Sequence, residues 1–210
     1  VIDMGPYYLT ALVNLLGPAK KVIGSIVNGK KTRTIGIGPK KNKKFKVNCP
    51  TSYLSTLTFH NGSVIHLTLS FDVIAHQNNH IELYGDKGSM IVPDPNMFGG
   101  SVLISKKLGS SWQNHQTNKM TLGKINIRTQ SSRANESATN ANYRGVGLSE
   151  MINSIKNKRL HRCNGVLSLH VLNIIEAIHL SAKNNKKKRI SIKCEKPKPF
   201  SNKEINSIIK

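Results

Sequence analysis

The sequence predicts an α+β fold built on a mainly antiparallel open sheet, and three observations carry the prediction. Apolar residues alternate with period two over Thr51–Ala75, which marks neighbouring strands with one apolar face. The last third of the chain switches to apolar residues at helical spacing. No Gly-x-Gly-x-x-Gly follows a strand and no run of βαβ units is present, so the chain has no Rossmann domain of its own. At 210 residues and 38% hydrophobic content there is material for one sizeable core, and residues 1–210 are read as a single domain.

The first element is a helix. Leu9, Leu12, Val13 and Leu16 fall at i, i+3, i+4 and i+7 and line one side of it. Pro6 suits the first turn, where its missing N–H costs nothing. Gly17-Pro18 ends the helix, since glycine can turn left-handed and proline cannot extend the ladder. Asp3 and Tyr7 stand four residues apart across the helix start. Either Asp3 caps the helix while Tyr7 packs with its hydroxyl in water, or their polar ends share one side as a pair.

Lys21–Val27 reads as a short strand, and the basic, glycine-rich Lys30–Lys46 as a loop or loose hairpin. In Thr51–His60 the odd positions Tyr53, Leu57 and Phe59 are apolar; Asn61-Gly62 is a favoured tight turn. In Ser63–Ala75 every odd position from Ile65 onward is apolar, which leaves Asp72, and His76 beyond it, on the polar face. His80–Tyr84 and Ser89–Val92 are further strands joined by Gly85-Asp86-Lys87-Gly88, which lacks the spacing of a phosphate loop. Two prolines make Pro93–Gly100 a rigid loop that suits either a pocket wall or a plain connection. Ser101–Lys106 is a strand, and Ser110–Asn142 is read as weak strands and a long loop.

Leu148, Met151, Ile152 and Ile155 give one helix face, ended by Asn157-Lys158, with Arg144 just before it as a candidate contact for an anion or hydroxyl. A longer helix, about Val166–Lys183, is apolar over most of its girth and is expected to be well buried; His170 on it reads as a satisfied core histidine. Ile190–Lys193 is a last strand. Ser201-Asn202-Lys203-Glu204 matches a capping box for a terminal helix.

Lys+Arg number 32 against 10 Asp+Glu, a net charge of +22. Such a field attracts nucleic acid or anionic surfaces without specificity. The cations are mostly lysine, clustered at Lys40–Lys46 and Lys186–Arg189, and only Phe45 interleaves them, so no base-stacking pattern appears and nucleic acid is not the expected partner. No run approaches the roughly 18 apolar residues of a membrane span, and no membrane partner is expected. Cys49, Cys163 and Cys194 are odd in number and lack metal-site spacing, which fits a reducing, cytoplasmic compartment and no metal.

Asp3-Met4-Gly5-Pro6-Tyr7 followed by Leu-Leu-Gly-Pro resembles the Asp-x-Gly-x-His motif that opens the C-terminal domain of the glucose–fructose oxidoreductase/inositol dehydrogenase (Gfo/Idh/MocA) family, with Tyr7 at the histidine position. Some sugar oxidoreductases of that family carry tyrosine there. The resemblance continues in order through Ser70-Phe71-Asp72-Val73, Glu82–Ser89, Pro93-Asp94-Pro95-Asn96, Arg144-Gly145-Val146-Gly147 and Leu169-His170-Val171-Leu172.

The resemblance implies helices on one face of the sheet and another subunit on the other, in a homodimer or homotetramer. It implies the substrate-binding half of an oxidoreductase acting on a sugar or polyol hydroxyl. NAD or NADP would be held mainly by an N-terminal nucleotide-binding domain that these residues lack. Asp3 and Tyr7 would be catalytic, and His76, Asp94, Asn96 and Arg144 would line the substrate site. A free phenol, with pKa about 10, is a poor base near neutrality, so Tyr7 would need a cation beside it. The family supplies a lysine in a Glu-Lys-Pro tripeptide before this domain; Glu195-Lys196-Pro197 spells the same tripeptide at the wrong end of the chain and is read as coincidence. The alternative is a non-catalytic binding or scaffold protein that kept the fold.

Overall fold

A computed structural model describes residues 3–126 and 141–209, so part of Ser110–Asn142 lies outside the described residues. The chain forms two compact units, one of residues 1–76 with 165–197 and one of residues 77–164 with 198–210.

The first unit begins with helix α1, Gly5–Leu16. Leu9, Leu12 and Val13 are buried, as the spacing predicts. Gly17 stops it at φ 90°, a conformation that favours glycine, and its N–H reaches back to the Val13 carbonyl at 2.8 Å. Strands β1 (Ala19–Val27), β4 (Ser52–Phe59), β5 (Val64–Ser70) and β10 (Lys188–Arg189) form one antiparallel sheet in the order β10-β1-β4-β5. Between β1 and β4, β2 (Thr32–Thr34) and β3 (Lys44–Lys46) pair as a separate ribbon.

Helix α3, Gly165–Asn184, packs along β1. Its Leu167, Val171, Ile174 and Ile178 meet Val22, Tyr53, Leu57, Phe59 and Leu67 and the α1 leucines in one core. Each fully buried Leu or Ile contributes about 2 kcal/mol. By length and composition α3 could cross a membrane, yet its Leu167, Val171, Ile174, Ile175, Ala177 and Ile178 belong to this core. Its Val166, Leu169 and Leu172 are exposed, so the helix is covered on one side rather than around its girth.

His170 is fully buried: the Ala19 N–H donates to its Nε2 at 3.1 Å, and its Nδ1 donates to the Ile192 carbonyl at 2.5 Å. The expectation of a satisfied core histidine holds. The opposite face of the sheet, bearing Ile23, Val27, Leu54, Val64 and His66, is exposed among the described residues of this unit.

Two strands end earlier than the alternation suggests. The apolar pattern continues to Ala75, but β5 stops at Ser70; one more bond, the Phe71 N–H on the Thr51 carbonyl at 2.9 Å, follows it before Pro50 ends the partner segment. The last strand is Lys188–Arg189 rather than Ile190–Lys193, because the Asn173 side chain on α3 accepts the N–H groups of Ser191 and Ile192, which would otherwise extend it.

The second unit carries an antiparallel meander of β6 (Ile81–Gly85), β7 (Gly88–Val92), β8 (Ser101–Ser105) and β9 (Gln113–Gln116), with a 3-10 turn at Pro95–Met97. Helix α2, Val146–Lys156, packs on α4, Asn202–Ile209.

The face of α2 is a correction. Leu148, Ile152 and Ile155 are exposed, and Glu150 and Ser154 are buried. Electrostatics turn the helix over: Glu150 Oε1 accepts from Arg159 Nη1 at 2.8 Å, Arg162 Nη1 at 3.0 Å and Ser154 Oγ at 3.0 Å. Arg162 also donates to Glu204 at 2.9 Å and to the Lys198 carbonyl at 2.7 Å, and its guanidinium lies 4.0 Å over the Phe200 ring. The capping box forms as expected, with the Ser201 N–H on Glu204 Oε2 at 2.9 Å and the Glu204 N–H on Ser201 Oγ at 3.3 Å.

Candidate functional site

The six residues singled out from the sequence divide between the units. Asp3, Tyr7 and His76 belong to the first, and Asp94, Asn96 and Arg144 to the second.

Asp3 is exposed and precedes α1. Met4 takes the N-cap position, so Asp3 does not cap the helix in the way the simpler sequence interpretation expects. Tyr7 lies in the first turn, its N–H on the Met4 carbonyl at 3.2 Å, and is 54% exposed. The core side of α1 fixes its first turn, so Tyr7 is presented on a rigid element, while Asp3 lies in the turn that precedes it.

His76 is exposed in the irregular segment after β5. It does not share a strand face with Asp72, as the longer strand would have required. Asp72 is instead a latch: Thr51 Oγ1 donates to it at 2.5 Å, Ser52 Oγ at 2.7 Å and Arg33 Nη2 at 2.7 Å. These bonds, the Thr51 hydroxyl foremost, hold its carboxyl below the usual carboxylate range. The Gly29 backbone lies so close to this carboxylate that a Cβ there would collide with it.

In the second unit, Asp94 Oδ1 accepts the Asn96 N–H at 3.0 Å and caps the 3-10 turn, while Oδ2 lies 3.6 Å from His80 Nε2. Asp94 and Asn96 are therefore brought together, by turn geometry. His80 is a neighbour the sequence reasoning missed; its place at a strand start fourteen residues earlier carries no local signal. Arg144 is exposed, its N–H on Asn142 Oδ1 at 3.3 Å, just before α2. The Glu150–Arg159–Arg162–Glu204 network was also missed. The Ser201 N–H, Arg162 and the Ser201 hydroxyl draw the Glu204 carboxyl down to about 2.

Lys196 of the misplaced tripeptide donates to the Leu15 carbonyl at 2.7 Å, where a cation complements the C-terminal end of α1. On the open face of the first sheet a shallow cavity of about 300 Å³ is lined by Ile23, Ser25, Leu54, Thr56, His66 and Thr68. No group of three or more His, Cys, Asp or Glu side chains placed to hold a metal occurs among the described residues.

Residues 1–91 match the family model of the GFO/IDH/MocA C-terminal domain. The fold is that of the GFO/IDH/MocA C-terminal domain. Solved structures agree. Levoglucosan dehydrogenase in complex with NADH and L-sorbose superposes with a TM-score of 0.68 at 16% identity, over 90% of this chain and 50% of that one. An oxidoreductase from Agrobacterium radiobacter in complex with NAD+, L-tartaric acid and magnesium gives 0.60 at 13%, over 90% and 49%. Aldose-aldose oxidoreductase from Caulobacter crescentus complexed with glycerol gives 0.58 at 17%, over 88% and 45%. The chain thus spans about half the length of the solved structures it matches. No protein of curated function matches it significantly.

Among the described residues every named sheet is antiparallel, and no glycine loop joins a strand to a helix in the manner of a dinucleotide site. These residues do not fit a nicotinamide dinucleotide by themselves.

Proposed function

We propose that this chain is the substrate-binding and oligomerisation half of an NAD(P)-dependent oxidoreductase acting on a carbohydrate hydroxyl in the cytoplasm. The observation that carries the proposal is the match of residues 1–91 to the GFO/IDH/MocA C-terminal domain, with Asp3 and Tyr7 standing exposed at the start of α1. The matched structures, solved with NADH and L-sorbose or with NAD+ and L-tartaric acid, support a nicotinamide cofactor and a polyhydroxylated substrate.

The cofactor, gripped by a separate nucleotide-binding module, would supply the redox step. Tyr7 would exchange the proton of the reacting hydroxyl, and Asp3 would hold that hydroxyl or orient a lysine from the upstream module. His76, Asp94, Asn96 and Arg144 are the proposed substrate contacts. Asp94 is held by the 3-10 turn, so it would present a fixed acceptor. The open face of the first sheet, apolar at Ile23, Val27, Leu54 and Val64, is the proposed surface for a second copy in a dimer or tetramer.

The test joins this chain to a nucleotide-binding domain of the matched oxidoreductase type and follows sugar-dependent reduction of NAD or NADP. The proposal expects turnover that Tyr7→Phe and Asp3→Asn abolish or greatly reduce. Substitutions that leave turnover intact remove the roles assigned here.

A further inference from the structure

From the structure we infer that the β2–β3 ribbon is a peripheral contact for an anionic lipid surface, an inference that does not rest on the oxidoreductase proposal. It runs against the expectation of no membrane partner drawn from the absence of a long apolar run. The ribbon is a formed element, not a loose basic loop. Its ladder continues past the strands, with the Val47 N–H on the Lys31 carbonyl at 2.9 Å, the Ile35 N–H on Lys43 at 2.9 Å and the Asn42 N–H on Ile35 at 2.8 Å. Its base is latched, because Arg33 donates to the Phe71 carbonyl and to Asp72, each at 2.7 Å.

Two features of this ribbon point to lipid. The first is charge. Lys40, Lys41, Lys43, Lys44 and Lys46 are all exposed, and no acidic residue occurs anywhere between Asp3 and Asp72. A second copy of this chain is a poor occupant of the ribbon itself, since the same ribbon on the copy repeats these lysines and the copy's Asp72, Glu150 and Glu204 are already held by arginines. The second is the tip. The connection from β2 to β3 opens with Ile35-Gly36-Ile37-Gly38-Pro39, which has no charged or polar side chain, and closes with Lys40, Lys41, Asn42 and Lys43; Ile37 is 84% exposed, and Phe45 stands exposed on the flank.

An exposed Ile37 with lysines beside it in the same turn matches a bilayer interface, where acyl chains meet anionic headgroups. A nucleic-acid groove would favour polar or stacking groups at that tip. The ribbon would hold the protein at the negatively charged inner leaflet through headgroup phosphates, with Ile37 entering the interface.

Co-sedimentation with vesicles of about 3:1 phosphatidylcholine to phosphatidylserine, against pure phosphatidylcholine, tests this with the full chain at near-physiological salt. The chain is expected to partition to the anionic vesicles only. Replacing the five ribbon lysines with glutamine is expected to weaken partitioning about a hundredfold or more. Replacing Lys106, Lys107, Lys119, Lys156 and Lys158, which removes equal charge elsewhere, is expected to cost only a few-fold. Ile37→Ser is expected to weaken partitioning several-fold at unchanged salt dependence.

All these side chains are exposed, and an unchanged thermal midpoint checks the fold. Equal losses from both lysine sets would overturn the proposal, as diffuse charge then suffices. So would the absence of partitioning. An Ile37→Ser variant that keeps full vesicle binding, together with a ribbon set that loses single-stranded DNA binding to the same extent, would assign the ribbon to nucleic acid instead.

Discussion

His170 ties the start of β1 to the segment after β10, and it does so as the neutral Nδ1–H tautomer, since Nε2 must accept from Ala19. Burial pushes its imidazole below the ordinary value; the bond to Ile192 opposes this and His60 adds to it. The unfolded chain therefore takes up the proton first as pH falls. The contribution is complete above about pH 6.5 and is lost below it, by at most about 1.4 kcal/mol per pH unit. Thermal midpoints measured from about pH 7.5 down to about pH 5.5 should fall within that window. A flat profile would mean that the histidine is not held neutral.

Gly29 offers a second residue-scale prediction. Gly29→Ala drives a methyl into the Asp72 carboxylate, which three donors hold in place, and should destabilise the chain by about 2 kcal/mol in urea melts. At this scale much was legible. The i, i+3, i+4, i+7 leucines, the Gly17 stop and the capping box each depend on residues a few positions apart. The Asp72 latch was not, because its partners come from two other strands.

At the scale of elements, α2 shows where periodicity misleads. Leu148, Ile152 and Ile155 form a clean apolar stripe, and the helix nonetheless turns Glu150 inward. The attraction of two guanidiniums, from Arg159 and Arg162, outweighs an apolar face left in water. Glu150→Ala strands both arginines and should cost about 3 kcal/mol. Leu148→Ser should stay within about 0.5 kcal/mol. Calorimetry that found the opposite order would restore the leucine face as the buried one. The early ends of β5 and β10 have origins of their own, the end of the partner segment at Pro50 and the Asn173 side chain. Alternation reports which face a residue would occupy, not whether a partner strand is there to pair with it.

At the scale of the whole molecule, the antiparallel sheet and its two covering helices were legible because strand and helix periods occupy different parts of the sequence. The grouping of the candidate residues was less so. Asp94 and Asn96 meet through a turn that the two prolines announce, while His80 reaches Asp94 through strand placement that no local pattern encodes.

The exposed face of β1, β4 and β5 carries the prediction of self-association. Leu54→Asp, at the centre of that face, should shift the protein to a lower oligomeric state by light scattering while leaving its helical content unchanged. An unaltered mass would place the subunit interface elsewhere.

The account turns on Tyr7 and Asp3 acting at a reacting hydroxyl. The most direct measurement is the rate of sugar-dependent NAD or NADP reduction by this chain joined to a nucleotide-binding domain of the matched oxidoreductase type, compared with Tyr7→Phe and Asp3→Asn in the same protein. The account predicts measurable turnover in the parent and a loss of about 10²–10⁴-fold in Tyr7→Phe, the range for a positioned proton-transfer group. Undiminished turnover in both variants would contradict it.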